Sequence, residues 1–333
     1  MTLPSETPAP QRKFLRTAAQ TLLHYGGSAL ALLLLFRFLG GPQVWQPLAS
    51  LPARLLLLVL AGYLAVHCIG VGKWRLMVNT AGAGLNFLQA ARCYFAGLFG
   101  SLLLPSLIGG DLVRAALAMR LGRSKAAVLL GSFLDRIIDL SALALLGAAG
   151  AFLIPGALDV RGRKMFVILG AVAAVGAALI AAALAFVPAG KFSFRIRRRL
   201  VRLRRAGRSM ARRPRIMFVS LFLALVAQLA FINLSILLAK ACGLRLAFRV
   251  WLFAWPLAKL SATLPVTQGG IGVREAALAA LLLPFGAPAV LTVAAGLAWE
   301  AIVICGALIG GLFSVLVGRT SPAAGASSSD SNA

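Results

Sequence analysis

The chain has 333 residues, of which 60% are hydrophobic and only 13% charged, and its mean hydropathy is +0.92. Soluble domains are about 25% charged and about 45–50% apolar, so a soluble globular enzyme and a disordered chain are both excluded; an all-α polytopic membrane protein is expected. Lys plus Arg number 34 against 8 acids, a net +26, and twelve of the bases fall between residues 191 and 215 with no acid among them.

In chain order, residues 1–20 are polar and read as a disordered cytoplasmic N-terminus. Six segments reach the ~20 apolar residues that a hydrocarbon core requires: 21–39, 54–71, 125–154, 164–187, 216–242 and 288–317. Between them lie two apolar but broken regions, 86–121 and 250–283, each with a proline and a glycine pair in its middle. The last residues, 319–333, are Ser/Ala-rich and read as a disordered tail. The expected domains are therefore a first membrane repeat over 21–160 and a second over 161–318, the latter containing the basic loop 191–215.

The charges orient these segments. Arg12, Lys13 and Arg16 place the N-terminus inside by the positive-inside rule, and the second helix returns to Lys73 and Arg75 on the same side. The helix from Lys125 starts inside again, so the region between must be a hairpin that enters and leaves from the cytoplasm. The loop 191–215 is then cytoplasmic, lying against anionic headgroups rather than nucleic acid. The second broken region is a hairpin from the outside, and both termini are cytoplasmic. Arg161, Arg163 and Lys164 fall on the external side, against the rule.

The two broken regions repeat one another. Leu104, Pro105, Gly109, Gly110, Val113, Arg114 and Ala116 recur at a constant offset as Leu264, Pro265, Gly269, Gly270, Val273, Arg274 and Ala276 (264 − 104 = 160). Matched elements run in opposite directions, the inverted-topology repeat of many transporters, in which Gly/Pro-interrupted segments mark a midplane site. Pro105 and Pro265 are expected to end a helix. Gly109, Gly110, Gly269, Gly270 and Gly272 supply positive φ or close backbone approach. Arg114 and Arg274 then stand in the first turns of new helices, where N–H groups and a guanidinium suit a phosphate.

Five of the eight acids lie in apolar segments or hairpins: Asp111, Asp135, Asp139, Glu275 and Glu300. Charges at this depth face the interior and pair. Asp135, Arg136 and Asp139 share one helix at i, i+3 and i, i+4 spacings and are expected to touch. They either bind a headgroup or brace the helices with Arg114, Arg136 and Arg274. Lys259 is a further candidate partner. No Ser/His/Asp set, metal spacing or complete phosphate loop stands out, so no metal, cofactor or catalytic residue is expected. His24 and His67 read as packing or interfacial residues, and the four cysteines as free buried thiols.

The motif Leu104-Pro105 through Gly109-Gly110-Asp111 and Arg114, then Asp135-Arg136 and Asp139, then Leu264-Pro265 with Gly269-Gly270-Ile-Gly272-Val-Arg274-Glu275, resembles the lysylphosphatidylglycerol synthase transmembrane region, also called flippase-like, over about residues 15–318. Some relatives carry a soluble C-terminal domain that attaches an amino acid to lipid; this chain is expected to lack it. The resemblance implies a flippase-type role at a bacterial inner membrane, without synthase activity. It carries over Asp111, Arg114, Asp135, Arg136, Asp139, Arg274, Glu275 and Glu300. The expected function is translocation of a phospholipid or lipid-linked headgroup. The alternatives are a non-catalytic membrane subunit of a separate soluble lipid-modifying enzyme, or an intramembrane lipid-modifying enzyme.

Overall fold

A computed structural model describes residues 41–103, 107–154, 201, 204–205, 207–209, 212–261 and 272–320. These residues form helices and turns, without a strand among them. In order they are α1 (Gly41–Ala49), α2 (Ala53–Thr80), α3 (Phe87–Leu103), α4 (Leu107–Leu121), α5 (Lys125–Leu153), α6 (Pro214–Ala241), α7 (Phe248–Ser261), α8 (Val273–Leu282), a 3-10 turn (Leu283–Phe285) and α9 (Ala289–Thr320). The expected spans at 21–39 and 164–187, most of the basic loop, both termini, and Pro105, Pro265, Gly269 and Gly270 lie outside the described residues.

Four helices, α2, α5, α6 and α9, are long and apolar enough to cross a membrane, and the chain is a multi-pass membrane protein. At 28, 29, 28 and 32 residues each exceeds the ~20 that a bilayer core needs. Phe133, Leu145, Phe152, Phe218, Phe222 and Leu312 are exposed along their outer faces. Apolar side chains in that position meet lipid rather than water. The helices of the two broken regions are shorter: 17 and 15 residues for α3 and α4, 14 and 10 for α7 and α8. At 1.5 Å per residue none reaches the ~30 Å of a hydrocarbon core. α1 is a helix that Pro42 and Pro47 hid from the sequence; it buries Val44 and packs on α9.

Helix ends repeat with the sequence. α2 and α6 start 161 residues apart (214 − 53) and are both 28 long; α3 and α7 also start 161 apart (248 − 87). Past α2, the N–H groups of Ala81, Gly82 and Ala83 donate to Met77, Asn79 and Val78. Past α6, those of Cys242, Gly243 and Leu244 donate to Leu238, Lys240 and Ala239, each partner again 161 further on. Both turns need a residue at positive φ, supplied by Gly82 (+104°) and Gly243 (+91°), where a Cβ would be strained. The turns therefore stop corresponding helices by the same hydrogen bonds.

Packing is crosswise. α2 and α6 lie together at the centre, while α3 packs on α4 and α9, and α7 packs on α8 and α5. Each short pair thus leans on the long helix of the other half. Small residues permit the close approach that membrane helices use in place of a hydrophobic driving force. A Cβ on Gly97 of α3 would lie 2.7 Å from the Gly110 carbonyl oxygen, and one on Gly131 of α5 would lie 2.6 Å from the Val78 Cα of α2. Gly109 and Gly110 are inside α4, not in a break before it, and neither has positive φ; Gly110 is there for the contact with Gly97. Among the cysteines, all free, Cys93 and Cys242 are buried as expected, whereas Cys68 and Cys305 are exposed.

Candidate functional site

The interior charges form two clusters. The first joins α2, α4 and α5. Lys73 on α2 is 3% exposed, and its Nζ lies 2.7 Å from Asp135 and 2.6 Å from Asp139 on α5. The i, i+4 spacing of the two carboxylates puts both on the face that meets α2, so one ammonium serves two acids. Asp135 continues to Arg114 on α4, at 3.6 Å, and Arg114 to Asp111 at 3.0 Å. Asp111 closes the chain on Arg136 of α5. Three cations thus alternate with three carboxylates. The middle members, Lys73, Asp135 and Arg114, are buried, while the side chains of Asp139, Asp111 and Arg136 are 25%, 22% and 49% exposed.

The second cluster lies on α8 and α9. Gly272, at φ +84°, turns the chain into α8. The Gly272 N–H donates to Glu275 Oε2 at 2.8 Å, so Glu275 satisfies a backbone donor that the helix start would otherwise orphan. Arg274 donates from Nε and Nη2 to Glu275 Oε1, at 3.0 and 2.5 Å, and from Nη2 to Glu300 Oε2 on α9, at 3.0 Å. Gly296 lacks the Cβ that would collide with Glu275 Cγ at 2.7 Å. The chain thereby makes room for a wholly buried acid.

Aromatic rings fill the space between the clusters. His67 lies 4.4 Å from Tyr63, 5.4 Å from Phe231 and 5.8 Å from Tyr94, ring centre to ring centre. Trp299 packs on Tyr63, Phe231 and Trp255. Arg114 stacks its guanidinium 4.9 Å from Trp74 and 5.3 Å from Tyr94, a cation–π arrangement. Lys259 of α7 lies 4.7 Å from Trp255 and 4.9 Å from Phe231, and donates to Gln228 Oε1 at 3.0 Å. Two tryptophans are anchored alike, Trp74 Nε1 to Ser132 and Trp255 Nε1 to Ser235.

Every described acid that the sequence singled out falls in one of these clusters, but the partners differ from expectation. Arg136 pairs with Asp111 on α4 rather than with Asp139 on its own helix. Arg114 lies two turns into α4 rather than in its first turn, because the helix already starts at Leu107. Arg114 and Arg274 belong to separate clusters, and no ion pair joins them among the described residues. Lys73, taken from the sequence as a cytoplasmic marker, is the central cation of the first cluster. Its signal was the extension of an apolar helix past it to Thr80. His67 is a packing residue as expected, its Nδ1 3.3 Å from the Tyr94 hydroxyl.

The two arginines offer different chemistry. Arg274 is saturated by two carboxylates. Arg114 is buried, and its Nε and Nη2 have no hydrogen-bond acceptor among the described residues. Its Nη2 nevertheless stays within ion-pair distance of both Asp111 and Asp135. A guanidinium has five donors in a planar fork, so Arg114 keeps capacity for an oxyanion while its charge is balanced. No curated protein matches the chain. The model of the lysylphosphatidylglycerol synthase TM region matches residues 21–311, a stretch that holds every residue of both clusters, and the chain belongs to that family.

Proposed function

We propose that the protein is a flippase-like translocator of a phospholipid or lipid-linked headgroup at a bacterial inner membrane, with both termini cytoplasmic. The α3–α4 and α7–α8 pairs act as re-entrant hairpins of an inverted repeat. The observation that carries this reading is that each of two interior charge clusters joins a helix too short to span, α4 or α8, to long helices that can. Charges at this depth are costly and are compatible with exchange of partners against a charged headgroup. Arg114 is the phosphate ligand, since it retains free donors. Asp139, with a partly exposed side chain, receives an amine or sugar hydroxyl. The chain performs no bond-making chemistry in this reading. The experiment is reconstitution in liposomes with labelled phospholipids and a leaflet-accessibility assay. Translocation above protein-free vesicles is expected, falling at least tenfold in Arg114→Gln at equal abundance.

A second reading is favoured by one observation. Each carboxylate in the clusters already has a cation, which suits a rigid brace in a membrane subunit that supports a soluble lipid-modifying enzyme. Purified protein that moves no lipid, but copurifies with such an enzyme, would select that reading.

A further inference from the structure

Ala96, Gly100 and Leu103 of α3, Val113 of α4, and Gly311 and Ser314 of α9 line a groove of about 350 Å³. That volume falls within the ~300–1,000 Å³ of small-molecule sites, and no member of either charge cluster is in its wall. Leu103 and Val315 at its rim are 56% and 53% exposed, so the groove opens sideways, where lipid surrounds the helices. Small residues on membrane helices ordinarily let two backbones close on each other; here they leave a gap. Ser314 is the one polar side chain in the wall among the described residues. It is 7% exposed, yet it makes no hydrogen bond among the described residues. Other helical hydroxyls return to the preceding turn, Thr80 to Leu76 and Ser141 to Ile137. The Ser314 hydroxyl is therefore a buried donor turned to the groove, and such groups are normally satisfied.

Depth and charge identify the occupant. α9 has 32 residues and is about 48 Å long against a hydrocarbon core of ~30 Å, so about 9 Å emerges at each end. Ser314 is six residues before Thr320 (320 − 314 = 6), about 9 Å from the helix end. Its hydroxyl thus lies at the edge of the hydrocarbon, the level of the ester carbonyls of a glycerophospholipid. α3 runs antiparallel to α9, since Phe99 meets Gly311 while Arg92 meets Gly318. Arg92 is outside the groove wall, one turn before Ala96, and Gly318 is one turn after Ser314. The guanidinium therefore stands beyond the end of the groove, towards the aqueous boundary. Its Cζ lies 2.8 Å from where a Gly318 Cβ would be, and its Nε is buried without an acceptor. No carboxylate pairs with it among the described residues. A phospholipid presents acyl chain, ester carbonyl and phosphate in sequence; groove, Ser314 and Arg92 meet it in the same order.

We propose that this groove is a lateral binding site for a glycerophospholipid. One acyl chain lies between α3, α4 and α9, Ser314 donates to an ester carbonyl, and Arg92 donates to the phosphate. The site is separate from the charge clusters and does not depend on the translocator reading. The test is native mass spectrometry of the purified full chain in mild detergent. It is titrated with phosphatidylglycerol, with the diether analogue of that lipid, and with diacylglycerol, all carrying the same chain lengths. Wild type should hold one phosphatidylglycerol and bind it about fivefold tighter than the diether, the worth of one hydrogen bond, and at least as much tighter than diacylglycerol. Ser314→Ala should lose the preference over the diether and keep the one over diacylglycerol. Arg92→Gln should do the reverse. Ala96→Phe fills the groove and should abolish retention, whereas Leu308→Phe, at an exposed position of α9, should leave it unchanged. A wild type that holds no lipid, or that binds diester and diether equally, overturns the proposal. So does wild-type affinity in a folded Ala96→Phe protein. If Ala96→Phe does not fold, the Ser314→Ala comparison decides alone. A wild type that is dimeric, with Ala96→Phe monomeric, would give the groove to a second copy and overturn the lipid assignment.

Discussion

Lys73 on α2 reaches Asp139 on α5 with Nζ 2.6 Å from Oδ1, and the same nitrogen is 2.7 Å from Asp135, one helical turn earlier. One buried ammonium therefore holds two carboxylates that would otherwise repel each other at i, i+4. Removing one member of a buried ion pair costs about 3–5 kcal/mol, because the partner is left charged and unpaired.

Lys73→Met should accordingly lower stability by about 3–5 kcal/mol, read as a large fall in thermal midpoint and in membrane abundance. Adding Asp135→Asn and Asp139→Asn to it should recover part of the loss, since Lys73 and its two carboxylates then vanish together while Arg114 keeps Asp111. A Lys73→Met protein as stable as wild type would mean that the cluster does not bind α2 to α5.

Arg274 Nη2 donates to both Glu275 and Glu300, and Nε adds a second bond to Glu275. Lysine keeps the charge but has no second nitrogen in a planar fork, so it loses at least the second bond to Glu275. Arg274→Lys should cost about 2 kcal/mol, the worth of a lost charge-assisted hydrogen bond, and Glu300→Gln about the same. The double variant should cost less than the sum of the two, as a mutant cycle on a direct pair requires. Strict additivity in thermal unfolding would show that the α8–α9 contact does not run through this pair.

Four of the six expected spans fall on described helices, because hydrophobic runs record helix length directly. Residues 125–154 and 288–317 became Lys125–Leu153 and Ala289–Thr320. The motifs recur at an offset of 160, whereas α2 and α6, and α3 and α7, start 161 apart; Pro105, Pro265, Gly269 and Gly270 lie outside the described residues. Partner choice was not legible. Arg136 has Asp139 one turn away in sequence and takes Asp111 from α4, because α4 packs against α5 and brings that carboxylate to it. Lys73 was hidden for a related reason: a cation near the end of an apolar run looks like a flank until a second helix presents two carboxylates to it. The glycine pair at 109–110 carried two physical readings, turn and close approach, and only the position of Gly97 on the facing helix separates them.

That contact gives a graded series. Gly97→Ala puts a methyl group 2.7 Å from the Gly110 carbonyl oxygen and 2.8 Å from Arg114 Cβ. Backbone cannot yield as a flexible side chain does, so a cost of about 1–3 kcal/mol is expected from overpacking. Gly72 on α2 has nothing within 4 Å of where its Cβ would stand. Gly72→Ala should therefore stabilise by about 0.5–1 kcal/mol, the helix preference of alanine over glycine. If both variants shift the thermal midpoint in the same direction, the close α3–α4 approach is not what Gly97 is for.

The proposed inverted arrangement makes the last prediction. Asn86 follows the turn after α2, and Ala247 occupies the matching position after α6, 161 residues on (247 − 86). Both are exposed, and both precede the short helix of their half. If the halves are inverted, these two turns face opposite compartments although their hydrogen bonds are the same. The four native cysteines are free, so replacing them by alanine breaks no disulfide and gives a background for single-cysteine labelling. In intact cells, a membrane-impermeant maleimide should label Ala247→Cys and spare Asn86→Cys. Labelling of Asn86→Cys should appear only after the membrane is opened. Positive-inside reasoning supports this assignment, since the turn after α2 is flanked by Arg75, Arg120 and Arg123. The turn after α6 carries Arg245 and Arg249 on the predicted outer side, which makes this the more demanding half of the test. Equal labelling of both positions from one side would mean that the halves run parallel. Arg114 and Arg274 would then lie towards the same membrane face, and an alternating two-sided gate would have no structural basis.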